Sequence, residues 1–274
     1  MNVLITGASG GLGRAMAMDC ARRGYNLFLT DISASALEHI AMGIRRRYDS
    51  EVLTHACDLT DSVAVRDMLE KATRQLGTFG QVGQGDCFDM LLNVAGVDCE
   101  GEFTEKSSND MKMTTRINIE ATLNLTHEVL DRRRKGYPMY IVFVSSLASF
   151  YPMPLKACYA ASKRFLYDFA FALGSELEAS GVNVTTVCPG GLATNEESVA
   201  LINAQGFWGN LTTNAVETIA RISVNKVLSG KRVYIPGTLN KVLGAGGKLL
   251  PRALIAHTIR KRWQKAQSRR LAMP

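Results

Sequence analysis

The chain has 274 residues, 46% of them hydrophobic and 21% charged, enough for one domain with a large core or at most two small ones. No uncharged apolar run approaches the roughly 20 residues that a membrane span requires. Six scattered cysteines without a CxxC pair fit reduced thiols, and four isolated histidines suggest no metal site. The net charge of +7 is uneven: Thr218–Pro274 holds 13 Lys and Arg and no acidic residue, whereas residues 1–217 carry 19 basic against 25 acidic residues. A mildly acidic body therefore precedes a strongly basic tail, and that charge has no nucleic-acid-binding module beside it.

Short apolar β-branched runs alternate with helical patterns, which predicts a single α/β domain. The first run, Asn2–Thr6, starts so early that no signal peptide fits before it, so a cytoplasmic location is expected. It leads at once into Thr6-Gly7-Ala8-Ser9-Gly10-Gly11-Leu12-Gly13 and an amphipathic helix to about Arg23. Strand, glycine-rich turn and helix N-terminus together make a phosphate cradle, because glycines let the backbone come close and free N–H groups face the anion. The second strand, Tyr25–Thr30, ends in Asp31, eighteen residues beyond Gly13. A carboxylate there accepts from both ribose hydroxyls of NAD and repels the 2′-phosphate of NADP. Asp31 could instead cap the helix that starts near Ser33.

The third strand, Val52–Cys57, leads into Asp58-Leu59-Thr60-Asp61 and a helix to about Leu76. Asp58 stands at a strand's carboxyl end, where ligands collect in an open parallel sheet, and Asp61 reads as an N-cap. Glycine-rich residues 77–85 read as a surface excursion. Strand Phe88–Asn93 stops at Asn93-Val94-Ala95-Gly96, small residues that let a ligand lie against the backbone. A long helical pattern from about Ser107 to Arg134 carries Asn118 among Ile117, Ile119 and Leu123. Such an amide is ordinarily a satisfied core group, of interest only if something catalytic lies opposite.

Strand 139–144 ends in Ser145-Ser146. After Tyr151-Pro152-Met153-Pro154, a helix to about Ser180 carries Tyr159 and Lys163 one turn apart on one face. An ammonium held there would make the phenol more acidic. Bringing a tyrosine from about 10 to near 7 needs roughly 4 kcal/mol, which a charge roughly 4 Å away supplies at an effective dielectric of about 20. Phe165, Phe169, Ala172 and Leu173 recur at helical spacing, a stripe for packing or a subunit interface. Strand Val182–Cys188 ends in Pro189-Gly190-Gly191-Leu192-Ala193-Thr194. Residues 195–212, with Phe207 and Trp208 between glycines, read as a mobile lid over a substrate. A helix at about 213–229 and a strand Arg232–Pro236 complete the sheet.

These motifs, in this order, resemble the short-chain dehydrogenase/reductase family over roughly residues 2–237. TGASGGLG (6–13) is similar to the family's TGxxxGxG, NVAG (93–96) to its NNAG, YAASK (159–163) to its YxxxK and PGGLAT (189–194) to its PGxxxT. Ser146 falls thirteen residues before the tyrosine, and Asn118 where the family places a fourth catalytic residue. Val94 departs from the second Asn of NNAG, leaving Asn93 to fill the structural role.

The resemblance implies a Rossmann-like doubly wound parallel sheet of about seven strands. It also implies a mechanism in which Tyr159 handles the substrate proton and Lys163 lowers its pKa and bonds the nicotinamide ribose. Ser146 would orient the carbonyl or alcohol, and Asn118 would hold a relay water. Gly7, Ser9, Gly11, Leu12 and Gly13 would cradle the cofactor, Asp58 and Leu59 would contact adenine, and Asn93, Ala95 and Gly96 the adenosine side. Pro189 and Gly190 would lie along the cofactor, with Thr194 at the carboxamide. Relatives with similar tails often carry Arg after the second strand and use NADP; Asp31 argues for NAD(H).

Beyond Gly237, residues 238–274 form an extension. Leu254, Ile255, Ile259, Trp263 and Ala266 make an apolar stripe on a basic helix that Pro251 could begin. The stripe would pack on the body or a second subunit, or else lie on an anionic membrane surface through residues 251–270.

The resulting expectation is an NAD(H)-dependent enzyme interconverting a secondary alcohol and a ketone, working as a homodimer or homotetramer. Its substrate would be fairly apolar, of hydroxysteroid, bile-acid or acyl-derived type, because Phe150, Tyr151, Leu192, Phe207 and Trp208 surround the expected mouth. An NADP-dependent reductase is the near alternative, and a non-enzymatic NAD(H) sensor tethered by its tail is the rival of another class.

Overall fold

The computed structural model describes residues 1–76, 88–194, 196–204, 211–246 and 250–271. Seven apolar runs become strands: β1 (Asn2–Thr6), β2 (Asn26–Asp31), β3 (Val52–Ala56), β4 (Met90–Asn93), β5 (Met139–Val144), β6 (Val182–Val187) and β7 (Val233–Tyr234). They form one sheet in the order β3-β2-β1-β4-β5-β6-β7, with every neighbouring pair parallel. Central strands of a parallel sheet are covered on both faces and so read as unbroken apolar runs; all five residues of β1 are buried. The doubly wound sheet expected from the sequence is the sheet observed.

Helices α1 (Gly11–Arg22), α2 (Ala34–Arg45) and α8 (Val216–Leu228) cover one face, where Met16, Leu37, Ile44 and Val224 meet Val3, Ile5 and Val142. Helices α3 (Ser62–Leu76), α5 (Thr122–Asp131) and α6 (Ala157–Leu177) cover the other, with Leu69, Leu125 and Leu166 against Phe28 and Phe143. Strand order reverses between β1 and β4, the switch point at whose carboxyl ends ligands bind in an open parallel sheet.

Local chemistry sets the helix starts. Ser33 caps α2, accepting from Ala36 N at 3.3 Å, which leaves Asp31 out of capping. Asp61 accepts from Val63 N at 2.9 Å and Ala64 N at 3.1 Å at the start of α3. The long helix expected over 107–134 is interrupted: α4 (Ser108–Thr115) passes into a π-helical turn, Arg116–Ala121, before α5. Such a turn inserts an extra residue into the helix and is frequent at functional sites. It holds Asn118, which is fully buried.

The extension is packed on the body. In α9 (Thr238–Gly246), Asn240 donates to Pro236 O at 2.9 Å, Asn214 Oδ1 at 3.1 Å and Thr212 O at 3.2 Å. Helix α10 (Arg252–Leu271) lies against α7 (Glu196–Ala204), with Ile255 and Trp263 each only 8% exposed. Part of its apolar stripe is thus taken up by the body. Among the described residues no helix is long and apolar enough to cross a membrane. Of the lid expected over 195–212, residues 196–204 are helical, and Phe207 and Trp208 lie outside the described residues.

Phe143 is fully buried and meets Phe169 edge-on at 5.7 Å. Phe143→Ala should therefore cost about 3–5 kcal/mol, read as a lower urea midpoint at an unchanged m-value.

Candidate active site

The crevice is built from backbone meeting backbone. Gly7 has φ +61°, and a Cβ there would stand 2.8 Å from the Ala95 backbone. A Cβ on Gly13 would stand 2.1 Å from Gly7 O, and one on Gly11 2.7 Å from Thr194 Cβ. No side chain fits at these three glycines, so the β1 loop touches the loops after β4 and β6 directly. Thr6 locks the contact: its Oγ1 accepts from Val94 N at 3.0 Å and Ala95 N at 3.1 Å.

Asp31 fastens the glycine turn to the end of β2, since its carboxylate accepts from Ser9 N at 3.0 Å and Ile32 N at 2.8 Å. Other predicted contacts have structural work. Asp58 accepts from Thr60 N at 2.9 Å and Thr60 Oγ1 at 2.8 Å within its own exposed turn, and Leu59 packs on the sheet. Asn93 is buried and donates to Thr126 Oγ1 at 3.2 Å. Pro189 O accepts from Leu147 N at 2.7 Å. Gly190 sits so close to Thr212 that a Cβ would reach 2.1 Å from its carbonyl oxygen.

A cavity of about 910 Å³ opens beside the cradle. Its inner wall carries Leu12, Gly96, Ser146, Tyr159, Lys163 and Thr194, and its outer wall Leu254, Ile255, Ile259 and Trp263. Tyr151 and Leu192 line it as expected, but Phe150 does not. Phe150 is turned into the body, edge-on to Tyr167 at 5.1 Å and against Gly244; it is an apolar packing residue at the foot of α9, which a reading by proximity to Ser146 could not foresee.

Lys163 is 4% exposed and donates to Val144 O at 3.0 Å. Burial among apolar strand ends pulls its pKa down to about 8. Tyr159 hydrogen-bonds Ser146, yet its pKa is raised: burial acts first and the Asp98 carboxylate second, against the lowering effects of Ser146 and the Lys156 charge. Lys163 Nζ stands 5.7 Å from the Tyr159 ring centroid, and with a pKa of about 8 it is still mostly protonated at neutral pH.

Asn118 Nδ2 donates to Val97 O at 2.9 Å and Ser162 Oγ at 3.0 Å, and its Oδ1 accepts from Val97 N at 2.9 Å. The side chain thereby ties Val97 and α6 together. A Cβ on Gly96 would reach 3.0 Å from Lys163 Nζ and 3.1 Å from Asn118 Oδ1, so the tightness of this corner explains the glycine.

A model of the family described as short chain dehydrogenase matches residues 1–201. The chain belongs to that family. It is similar to the "Probable oxidoreductase EphD" of Mycobacterium tuberculosis, 29% identical over 205 residues, which cover 74% of this chain and 33% of that protein. It is also similar to the "Very-long-chain 3-oxoacyl-CoA reductase" of Phaeosphaeria nodorum, 28% identical over 249 residues, covering 89% of this chain and 64% of that protein. The chain thus spans about a third of the first relative and under two thirds of the second. Among solved structures, the angucycline C-6 ketoreductase LanV with bound NADP superposes with a TM-score of 0.75 at 21% identity, over 85% of this chain and 93% of that one. A mutant short-chain dehydrogenase/reductase from Serratia marcescens gives 0.71 at 22% identity, over 86% and 96%.

This short-chain dehydrogenase has a cradle that fits a nicotinamide dinucleotide: the three glycines leave room only for backbone, and Thr194 closes over Gly11 at the cavity. Two residues of the site escaped the sequence reading. Lys156 and Asp98 line the cavity and pair with each other. A lysine three residues before the tyrosine was in plain view, but its acidic partners follow β4, nearly sixty positions away.

Lys163 also sets a pH response. Its folded pKa of about 8 lies below the ordinary 10.5, so the buried charge destabilises the cofactor-free fold fully below pH 8 and is relieved as pH rises toward 10.5. Measured by denaturation, the stability of wild type relative to Lys163→Met should rise across that window. A difference that stays flat would overturn the assignment.

Proposed function

We propose that this protein is an NAD(H)-dependent oxidoreductase that interconverts a secondary alcohol and a ketone on a fairly apolar small molecule of hydroxysteroid, bile-acid or acyl-derived type. The observation that carries the reading is the convergence of Ser146, Tyr159 and Lys163 on one largely apolar cavity beside a glycine cradle. The fungal relative's description as a 3-oxoacyl-CoA reductase and LanV's as a ketoreductase favour the same class of reaction.

When bound, the nicotinamide supplies hydride to the carbonyl carbon or takes it from the carbinol carbon. In the reducing direction Tyr159 gives its hydroxyl proton to the substrate oxygen. In the oxidising direction the proton returns to it. Ser146, already hydrogen-bonded to Tyr159, orients the same oxygen. Lys163, held by Val144 O, places a cation beside the tyrosinate that proton transfer leaves. Asn118 keeps Gly96 and Val97 against Lys163 and acts as a positioning residue.

The NAD preference rests on Asp31. Its carboxylate, fixed by Ser9 N and Ile32 N at the end of β2, occupies the place where a 2′-phosphate would meet like charge. LanV is described with NADP, so this residue is the natural point of test. A homodimer or homotetramer through α6 is supported by Phe165 and Phe171, which are 37% and 50% exposed. We assign the protein to the cytoplasm, with any membrane contact made by the outward basic side of α10.

Two measurements test the reading. Tyr159→Phe should lower kcat/KM for ketone reduction by about 10²–10⁴-fold while leaving the NADH dissociation constant in place. Wild type should bind NADH more tightly than NADPH, and Asp31→Ala should narrow or reverse that order; a wild-type preference for NADPH would refute the cofactor assignment.

A further inference from the structure

A charged cluster centred on the buried Lys156 joins the C-terminal helix to the catalytic helix. Lys156, the residue before α6, is 8% exposed and forms ion pairs with Asp98 and, at 3.1 Å, with Glu100. Burial pulls its pKa down, but the two carboxylates outweigh that and the net shift is upward, so the ammonium stays charged through neutral pH. Its Nζ stands 4.9 Å from the Trp263 ring centroid and 5.8 Å from that of Tyr159. One cation thus contacts the catalytic tyrosine and the aromatic anchor of α10, in a desolvated setting where a cation–π contact is strongest.

The backbone is strained to achieve this. Leu155 has φ 67°, among the described residues the one non-glycine residue with positive φ, a conformation that persists only where its surroundings enforce it. Here Leu155 O accepts from Gly101 N at 2.9 Å and Lys106 Nζ at 2.8 Å, while its side chain is buried. The kink ties the chain before α6 to the loop after β4, which carries Asp98 and Glu100. Helix α10 contributes Leu254, Ile255, Ile259 and Trp263 to the cavity lining, together with the more polar Thr258 and Arg262.

We propose that Lys156 and Trp263 form a latch that seats the C-terminal helix over the cavity, making α10 the wall that selects long apolar substrates over short ones. The inference rests on the cavity being the substrate site, as proposed above. Lys156 is a positioning residue in this scheme: it holds Trp263, and Trp263 meets the distal part of the substrate.

The test uses the full chain with two probes, 2-decanone and 2-butanone, their binding read by displacement of 8-anilino-1-naphthalenesulfonate fluorescence. Wild type should bind 2-decanone the more tightly. Trp263→Ala and Lys156→Met should each weaken 2-decanone binding about tenfold and leave 2-butanone unchanged. Trp263→Phe and Lys156→Arg, which keep the ring and the cation, should recover most of the loss and serve if the harsher variants fail to fold. Where turnover is seen, KM for 2-decanone should rise at constant kcat in Trp263→Ala. Unchanged 2-decanone binding in folded variants, equal losses for both ketones, or no chain-length preference in wild type would overturn the latch. Absence of turnover with intact chain-length selection would instead count against the proposed oxidoreductase activity and leave the latch standing.

Discussion

The close approach of the loops leaving β1 and β4 is the constraint on which the rest of this structure depends. Gly7 lies on the Ala95 backbone, and Thr6 bridges to Val94 and Ala95. Because the two loops are in contact, the β4 turn is carried toward α6, where Gly96 and Val97 meet Lys163 and Asn118. A methyl group at Gly7 would push these segments apart at Ala95, beside the Gly96 that lies against Lys163. The glycines therefore serve the protein's own packing as well as a phosphate's approach.

Two buried lysines flank Tyr159 at nearly equal distance, 5.7 and 5.8 Å from its ring centroid, and the protein treats them oppositely. Lys163 has a neutral carbonyl partner in Val144, so burial drives its pKa down to about 8. Lys156 has two carboxylates, which keep it charged despite burial. A carboxylate stabilises an ammonium far more than a carbonyl does when water is excluded. The same Asp98 that secures Lys156 also raises the pKa of Tyr159. The upward shift keeps the phenol protonated at neutral pH.

The C-terminal extension is joined to this electrostatics. Its net positive charge and apolar stripe permit packing on the body, on another subunit or on a lipid surface. In the fold, Ile255 and Trp263 are buried and the tail helix borders the cavity that Tyr159 lines. Arg260 and Lys261 of α10 are exposed, whereas Arg262 lines the cavity beside Trp263.

The sequence by itself determined the sheet and the order of its motifs, and it singled out Ser146, Tyr159 and Lys163, which the fold brings to one cavity. Those features are written in local period and spacing: unbroken apolar runs for covered strands, glycines where backbone must touch, a tyrosine and lysine one turn apart. Strand ends were legible to within a residue or two for the same reason. What only the tertiary structure decided are the matters that depend on partners distant in the chain. The π-helical turn at Asn118 and the saturation of its amide by Val97 and Ser162 have no local signal, because they arise from how α5 and α6 meet the β4 loop. The turning of Phe150 away from the cavity depends on α9, and the upward pKa of Tyr159 on the balance of burial, Asp98 and Lys156. The place of Trp263 over Lys156 joins residues more than a hundred positions apart, and such contacts are set by packing rather than by sequence period.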